Sequence, residues 1–336
     1  MRVLFRVDAG SARGAGHLMR CLSLASVLSE QGDLVGFCAR DLNAGYQPLI
    51  AQCAQFYWPL SSPDDALATC QVAREFEADW VVVDHYELGW DWEAQVKATS
   101  VRLMALDDLP GRMHQVDLLL DQNWLESAHA YSRSAPGATY LLGPRYALLR
   151  RQFREVQPPT RTGEVRRVLV SFGGSDPSNQ TEKALRALQS ENLERIEVVV
   201  GRACAHRHRL EQLCRDQPRV GFHVQLESMA QMMASVDFCI GSPGSTTWER
   251  CRLGLPGLVI VQAENQLAVA ECAEKLGVQR SLGWDATVSS DALRHAFRHL
   301  CQFPQELQAM SRKGMSVVDG LGAERVALRL RQWNGK

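Results

Sequence analysis

The chain has 336 residues, of which 46% are hydrophobic and 22% are charged, and its formal net charge at pH 7 is -1. The near-neutral charge argues against broad binding to nucleic acid or to anionic membranes. No apolar run approaches the roughly 18 residues of a transmembrane helix, and the chain opens on a predicted strand rather than a signal peptide. We therefore expect a soluble cytoplasmic protein with no nucleic-acid partner and no membrane insertion. The sequence does not determine the oligomeric state, and a monomer is compatible with it.

The ten cysteines are scattered singly, with no C-x-x-C pair. Zinc sites and disulfide frameworks normally show closer grouping. The pairs His206/His208 and His295/His299 have ligand-like spacings, but they lack Cys or acidic partners in register. We therefore expect reduced, mostly buried thiols, no metal and no cofactor.

Short apolar runs alternate with amphipathic stretches along the first half of the chain. The run 2–7 predicts a strand, and apolar residues at helical spacing predict a helix over 16–32 that ends at Gly32. Further predicted strands are 34–39, 80–85, 101–108 and 117–122, with another helix over 61–78. Such alternation is typical of a parallel sheet covered by helices on both faces.

A segment rich in proline, glycine and charge, residues 154–167, predicts a linker. The alternation then restarts, with predicted strands at 167–174, 196–201, 236–241 and 256–261. The fold class predicted is α/β, with two Rossmann-like domains, residues 1–155 and 165–336, facing each other across a cleft. The sequence leaves open whether the last helix packs back on the N-terminal domain. Because ligands of open α/β sheets bind outside the carboxyl ends of the strands, we expect the functional motifs to lie there.

A glycine-rich turn, DAGSARGAGHLMRC (8–21), follows the first predicted strand. Gly14 and Gly16 allow a ligand close to the backbone, and the turn delivers His17 to the start of a helix. A neutral imidazole there is suited to take a proton from water near pH 7. The alternative is a histidine that only caps or packs.

Charged residues flank this turn. Asp8 is a candidate to hold the His17 tautomer, or else it caps a turn. Arg6 and Arg13 are candidates to offset negative charge on a ligand, or else they are solvated. We expect a diphosphate to supply that charge, because two glycine–serine turns in the second half of the chain favour such a ligand.

The predicted strand 80–85 ends in Asp84-His85-Tyr86, which offers polar groups where a sugar could bind. A turn cap is the alternative for Asp84. The acidic pair 107–108 in LDDLPGR suits an ordinary turn. Paired carboxylates also suggest a metal, but no matching ligands are evident nearby.

The second half carries two glycine–serine turns after predicted strands. They contain Gly173, Gly174 and Ser175, and Gly244, Ser245 and Thr246. Backbone amides in such turns and at helix N-termini bind anions, so two turns at neighbouring strand ends favour a diphosphate. Glu249, in the first turns of the following helix, is a candidate to accept hydrogen bonds from ribose hydroxyls. The alternative for this segment is an ordinary capping box.

Two common nucleotide motifs are missing. There is no G-x-x-x-x-G-K-[ST] loop, and the G-x-G-x-x-G pattern that starts at Gly14 meets Met19 at its third glycine position. A dinucleotide-dependent oxidoreductase is therefore weakly supported. A nucleoside diphosphate held by the second domain fits better.

Taken in order, several segments resemble the UDP-2,4-diacetamido-2,4,6-trideoxy-β-L-altropyranose hydrolases of pseudaminic acid biosynthesis. The segments are RVDAGSARGAGHLMRCLSLA, VVVDHYELG, LDDL, VSFGGSDPSNQT, GSPGSTTWERCRLGLPGLVIVQAENQ and DGLGAERV. They run from the first strand to the last helix, so the resemblance covers nearly the whole chain. This family is similar to MurG-type glycosyltransferases of the GT-B architecture. One departure is Ala15, where many relatives carry threonine.

The resemblance implies a metal-independent enzyme that binds a UDP-linked diacetamido sugar and water. It implies that the C-terminal domain binds UDP, that His17 is the general base and that Tyr86 is a further active-site side chain. Asn265 and Gln266 resemble the polar pair that touches the sugar in related transferases. The expected reaction hydrolyses the anomeric C–O bond with inversion, on a route to flagellin glycosylation. The alternatives are a MurG-like glycosyltransferase and a non-catalytic nucleotide-sugar-binding protein.

Overall fold

The computed structural model describes residues 1–10, 16–109, 111–123 and 129–333. The chain divides into two compact units, residues 1–151 with 320–336, and residues 152–319. Both units are built from a parallel sheet and helices. The boundary between the units falls at the start of a short helix.

The first unit contains a seven-stranded sheet. Its strands are β1 (Arg2–Val7), β2 (Leu34–Ala39), β3 (Phe56–Pro59), β4 (Trp80–Asp84), β5 (Arg102–Leu106), β6 (Leu118–Asp121) and β7 (Thr139–Leu142). They lie in the order β3-β2-β1-β4-β5-β6-β7, and each pairing is parallel. The helices up to the boundary are α1 (Gly16–Glu30), α2 (Gln47–Ala51), α3 (Asp65–Glu75), α4 (Trp90–Lys97), α5 (His129–Ser134) and α6 (Arg151–Glu155).

The second unit contains a six-stranded sheet. Its strands are β8 (Arg167–Ser171), β9 (Arg195–Val200), β10 (Val220–Val224), β11 (Phe238–Gly241), β12 (Gly257–Val261) and β13 (Arg280–Trp284). Their order is β10-β9-β8-β11-β12-β13. The helices are α7 (Gln180–Leu188), α8 (Arg207–Arg215), α9 (Met229–Ser235), α10 (Ser245–Arg252), α11 (Leu267–Lys275), α12 (Ser290–Cys301) and α13 (Pro304–Val317), and the chain then enters α14 (Gly322–Arg331).

All nine strands expected from apolar runs are present, and the predicted α/β class with two parallel sheets is confirmed. Runs such as Trp80–Asp84 and Gly257–Val261 are buried at every residue, because helices cover both faces of a parallel sheet. Gly32 ends α1 as expected. Its φ of 84° is left-handed, and the amide of Asp33 donates to the carbonyl of Leu28 at 3.0 Å.

Four strands, β3, β7, β10 and β13, were not predicted from the sequence. All four are the edges of their sheets. An edge strand is covered on fewer sides, so its residues do not form a continuous apolar run. Strand β3, for example, has no buried residue among Phe56–Pro59.

The last helix, α14, belongs to the first unit. Its buried residues Val326, Ala327 and Leu330 join the core that the sheet forms with α1, which includes Leu24 and Leu28. The Nε1 of Trp80, in the central strand β4, donates to the carbonyl of Leu330 at 3.2 Å. The C-terminal helix therefore completes the N-terminal core.

The strand order brings the polar strand ends together in both units. In each sheet the chain proceeds outward from a central strand in one direction, then returns beside that strand and continues in the other. This reversal lies between β1 and β4 in the first unit and between β8 and β11 in the second. Open α/β sheets bind ligands outside the carboxyl ends of the strands at this place. The segments after β1, β4, β8 and β11 all carry motifs noted above.

We expect Leu330→Ala to lower the free energy of unfolding by about 2–5 kcal/mol, because Leu330 is fully buried and its truncation leaves a cavity. The matched control is Leu328→Ala on the same helix, where the side chain is 51% exposed and a change within about 0.5 kcal/mol is expected. Urea denaturation followed by circular dichroism measures both. Equal losses for the two variants would contradict the packing of α14.

Candidate functional site

The imidazole of His17 lies at the end of the first strand, against a buried carboxylate. His17 occupies the first turn of α1, and its Nδ1 is 2.6 Å from Oδ1 of Asp84 at the end of β4. Asp84 is 1% exposed, whereas the His17 side chain is 20% exposed. A histidine that reaches solvent is thus tied to a carboxylate that does not.

Arg20 joins this pair from the same face of α1. Its Nε and Nη2 donate to the two oxygens of Asp84, at 2.5 and 2.7 Å, and its Nη1 donates to Asp108 at 2.9 Å. Burial alone disfavours the charged carboxylate, but Arg20 and His17 hold the pKa of Asp84 well below its usual range. Asp84 therefore stays ionised at neutral pH.

The contacts around His17 select one tautomer. Nδ1 lies 2.6 Å from the carboxylate and 3.2 Å from Nη2 of Arg20, and it cannot donate to the first and accept from the second. Since a carboxylate only accepts and the carboxylate is closer, Nδ1 carries the proton. The lone pair of the neutral ring is then on Nε2, the arrangement that a general base requires.

Tyr86 lies beside this ring. The two rings meet edge to face with their centroids 4.7 Å apart. The phenol donates to Oδ1 of Asp108 at 2.7 Å, the carboxylate that Arg20 also contacts. The structure thus brings His17, Asp84 and Tyr86, all expected site residues, into one cluster with Arg20 and Asp108.

A second buried cluster contradicts the expected role of Asp8. Asp8 is bound by Arg6, at 2.6 and 3.1 Å, and by Nε2 of His85 at 3.2 Å, so Asp84 and not Asp8 holds the His17 ring. Arg6 is 1% exposed, and its other hydrogen bonds go to Asp65, at 3.0 and 2.6 Å. The expectation that Arg6 is either solvated or faces a diphosphate is therefore wrong, because its guanidinium is buried between two carboxylates.

The other expected site residues of the first unit are Arg13, Gly14, Gly16 and Asp84, and the structure describes two of them. Gly16 begins α1 and is exposed, and a Cβ placed there would meet no atom within 4 Å. Arg13, Gly14 and Ala15 lie outside the described residues. Asp84 is too buried to be the open sugar contact that its place at the end of the strand suggested, and its partners are His17, Arg20 and the thiol of Cys21.

A buried ion cluster borders Tyr86 on the other side. His114 has Nδ1 2.7 Å from Glu93 and Nε2 2.7 Å from Asp107. Both ring nitrogens face acceptors, so the ring is an imidazolium. Burial opposes its charge, but the hydrogen bonds to Asp107 and Glu93 outweigh burial and raise the pKa of His114 to about 9. Arg112 adds a second cation, 3.0 Å from Asp107.

In the second unit, the two glycine–serine turns follow the adjacent strands β8 and β11. Gly173 has a φ of 81°, a conformation that favours glycine, and a Cβ built on it would lie 3.9 Å from Oγ of Ser242. Gly173, Gly174 and Ser175 are exposed, as is Ser245 at the start of α10. The two turns are therefore neighbours with accessible backbone.

The helices that follow these turns differ in their N-termini. The amides of Gln180 and Thr181, at the start of α7, donate to the carboxylate of Asp176 at 2.9 Å each. That helix end already holds a negative charge. In contrast, α10 begins after Gly244, which has no side chain to accept from the first amides of the helix. The amide of Gly244 itself donates to Oγ1 of Thr247 at 3.3 Å, so half of the capping box considered as the alternative is present. Of these two ends, the one at α10 suits an external anion.

The other expected residues of this unit lie close by. Glu249 is on α10 and is 5% exposed. Oε1 of Gln266 accepts from the amide of Gln262 at 2.9 Å, while the Gln262 side chain donates to Asp176 at 2.9 Å. Asn265 is exposed. The loop that carries Asn265 and Gln266 is thus hydrogen-bonded to the turn after β8.

Several residues that contact one another around His17 and His114 were not predicted from the sequence as site residues. Arg20 lies three residues after His17 on α1 and so shares its helix face, a signal that was available in the spacing. Asp108 was noted only as half of an acidic pair. Nothing in the sequence links Glu93 to His114, because they are 21 residues apart and meet only through the fold.

Within the described residues there is no group of three or more His, Cys, Asp or Glu side chains that could hold a metal ion. The same residues contain no helix long and apolar enough to cross a membrane. The ten cysteines are free thiols, eight of them buried.

No protein-family model matches the chain. It is 28% identical over 338 residues to the spore coat polysaccharide biosynthesis protein SpsG of Bacillus subtilis, which covers 97% of this chain and 96% of that protein. It is 25% identical over 281 residues to the UDP-2,4-diacetamido-2,4,6-trideoxy-beta-L-altropyranose hydrolase of Campylobacter jejuni, covering 83% and 98%. The expected resemblance to this hydrolase is confirmed.

A further relative is an uncharacterised protein of Methanocaldococcus jannaschii, 25% identical over 280 residues or 79% of this chain. The chain spans 57% of that relative's length.

Among solved structures, the fold is similar to MurG of Acinetobacter baumannii, with a TM-score of 0.69, 14% identity and coverage of 98% and 99%. It is also similar to the spinosyn rhamnosyltransferase SpnG, with a TM-score of 0.67, 15% identity and full coverage of both chains. The fold is that of the GT-B glycosyltransferases.

We expect the free energy of unfolding to fall as pH rises from 6.5 to 9. The native pKa of His114, about 9, exceeds the ordinary value of 6.5, so the native state binds the proton more tightly. The resulting stabilisation, on the order of 3 kcal/mol, is fully present below pH 6.5 and is lost through pH 9. Urea denaturation of the wild type and of His114→Gln at both pH values isolates this effect. Parallel pH dependences in the two proteins would contradict it.

Proposed function

We propose that the chain hydrolyses the anomeric C–O bond of UDP-2,4-diacetamido-2,4,6-trideoxy-β-L-altropyranose, releasing UDP and the free sugar with inversion, in pseudaminic acid biosynthesis. The single observation that carries the proposal is the hydrogen bond between His17 and the buried carboxylate of Asp84. The similarity to the Campylobacter jejuni hydrolase supplies the substrate. The proposed setting is the cytoplasm.

In the proposed reaction, Nε2 of His17 takes a proton from water as the water oxygen bonds to the anomeric carbon. The bond from that carbon to the phosphate oxygen breaks, and its electron pair leaves with UDP. Asp84 stabilises the imidazolium that forms, as the carboxylate does in other His–Asp pairs. Arg20 supplies one positive charge to two carboxylates, Asp84 and Asp108. The protonated ring restores charge balance, and the proton then passes to solvent.

The departing UDP is a stable anion, so it needs electrostatic stabilisation rather than a strong general acid. We propose that the start of α10, Gly244 to Thr246, where no acidic side chain among the described residues caps the helix, holds the diphosphate together with the turn Gly173 to Ser175. Glu249 is the proposed contact for the ribose, and Asn265 with Gln266 for the sugar. Since Asp176 already occupies the start of α7, the dipole of that helix is not part of the proposal.

A MurG-like glycosyltransferase is the second candidate, and the observation that favours it is the fold shared with MurG. A non-catalytic nucleotide-sugar-binding protein is the third. Proton NMR of the enzyme with the UDP-sugar and no acceptor distinguishes the hydrolase from both. Stoichiometric UDP and free sugar of inverted anomeric configuration support the hydrolase. Binding without turnover rejects it.

We expect His17→Gln to lower kcat by about 10²–10⁴-fold, the usual contribution of a general base. The affinity for UDP, measured by calorimetry, should stay within about twofold of wild type, because the proposed diphosphate contacts lie elsewhere in the chain. His295→Ala, at an exposed position of α12, is the control and should retain full activity. Substantial turnover by His17→Gln would reject His17 as the base.

We expect Gly244→Ala to weaken UDP binding by about 10- to 100-fold, because a methyl group would block hydrogen bonds of about 1.5–3 kcal/mol to a charged group. The substitution is sterically permitted without ligand, since Gly244 has an extended φ of 171° and a Cβ there meets no atom within 4 Å. Its unfolding free energy should therefore change by less than about 1 kcal/mol. Unchanged UDP affinity would show that the diphosphate binds elsewhere.

A further inference from the structure

The proposed reaction does not use the buried cluster of Glu93, His114 and Asp107, yet its charged groups are closely paired. All three side chains are 1% exposed or less, and each nitrogen of the His114 ring meets a carboxylate oxygen at 2.7 Å. The other oxygen of Glu93 accepts from the amide of Gln115 at 2.5 Å. Burying three charges is costly unless each is paired.

Asp107 connects this cluster to the segment that contains Asp108. Its Oδ1 accepts from the amides of Asp108 and Leu109, at 3.0 and 3.3 Å, and from Nη1 of Arg112 at 3.0 Å. The carboxylate that binds His114 therefore also fixes the backbone of Asp108, the residue that contacts Tyr86 and Arg20.

Arg112 carries the connection to Tyr86. Its Nη2 donates to the carbonyl of Tyr86 at 2.6 Å, and its guanidinium lies over the Tyr86 ring, 5.8 Å from the centroid. Tyr86 is thus held from its backbone and its ring by Arg112, and from its hydroxyl by Asp108.

The charges of these four residues balance. Glu93 and Asp107 contribute two negative charges, and His114 and Arg112 contribute two positive ones. Loss of the imidazolium would leave a buried negative charge without compensation, and such a loss is far more disruptive than removal of a complete pair. Asp107 would then have to move or take up a proton, and its hydrogen bonds to Asp108 and Arg112 would weaken.

We propose that Glu93, His114, Asp107 and Arg112 form a charge-balanced brace that positions Tyr86 against His17 and Asp108 against Tyr86 and Arg20. These are positioning residues, because none of them contacts the His17 ring. The proposal rests on the proposed function for its catalytic consequence. A merely structural role would instead lower stability and leave the geometry at His17 unchanged.

The kinetic test compares His114→Gln, Glu93→Gln and the double variant with the wild type on the UDP-sugar. We expect His114→Gln to lower kcat at least about tenfold, since small misplacements of catalytic groups are costly, while KM and UDP affinity change little. The double variant removes one charge of each sign, so it should recover most of the lost kcat. A double variant as slow as the product of the two single losses would overturn the brace.

The matched control is Asp117→Asn, which removes the ion pair with Lys97 and leaves a single oxygen where Asp117 accepts from both Lys97 and the amide of Leu103. Asp117 directly precedes β6 and Asp108 follows β5, so the two residues lie at opposite ends of these neighbouring parallel strands. The variant should lose stability and retain kcat. An equal kcat loss in this variant and in His114→Gln would mean that any local destabilisation has the same effect, and would also overturn the proposal.

A second readout does not depend on turnover. In protein labelled at the histidine rings, NMR should show a doubly protonated His114 at neutral pH. His114→Gln should shift the His17 signals, and the double variant should restore them. Unchanged chemical shifts of the His17 ring in His114→Gln would reject the brace. If the signals respond but the wild type does not hydrolyse the UDP-sugar, the proposed function fails and the brace stands.

If the His114→Gln chain does not fold, Arg112→Met replaces it, because the Arg112 side chain is 22% exposed. It should lower kcat at least about tenfold and shift the His17 signals. Normal kcat and unmoved His17 signals in this variant would reject the brace.

Discussion

The carboxylate of Asp84 sits at the end of the central strand β4 with almost no contact with water. A buried negative charge is stable only when cations and hydrogen-bond donors surround it. Arg20 supplies two of the donors, His17 supplies another, and the thiol of Cys21 donates a weaker hydrogen bond at 3.6 Å. The need to compensate this one charge fixes the orientation of the His17 ring, its tautomer and the place of Arg20. The chemistry proposed at Nε2 depends on that arrangement.

The same accounting of charge distinguishes the two helix N-termini of the second unit. A negative side chain, Asp176, already satisfies the first amides of α7, so that turn is internally complete. The start of α10 follows a glycine, and its side-chain contact is the neutral hydroxyl of Thr247, which accepts from the amide of Gly244. An anion from outside the chain would fill at α10 the role that Asp176 fills at α7. Two turns that look alike in the sequence therefore differ in what they offer a ligand.

Charge also extends the site beyond the residues that would touch a substrate. Arg20 bridges Asp84 to Asp108, Asp108 accepts from Tyr86, and Arg112 ties Tyr86 to Asp107. Arg20 reaches these residues from α1, and the others lie at the ends of the neighbouring strands β4 and β5 or in the segments that follow them. Parallel strands place these ends side by side, so a row of alternating charges can form without a long loop.

The sequence by itself determined the α/β class, the nine strands with continuous apolar runs, and the segments after β1, β4, β8 and β11 as the places of interest. These features are local, because burial on both faces requires apolar runs and close approach to a backbone requires glycine. The tertiary structure decided the four edge strands and the charge partners. The sequence suggested Asp8 as the partner of His17, and only the adjacency of β1 and β4 and the distance of 2.6 Å select Asp84. Ion pairs between distant residues depend on which strands become neighbours, and no local pattern encodes that choice.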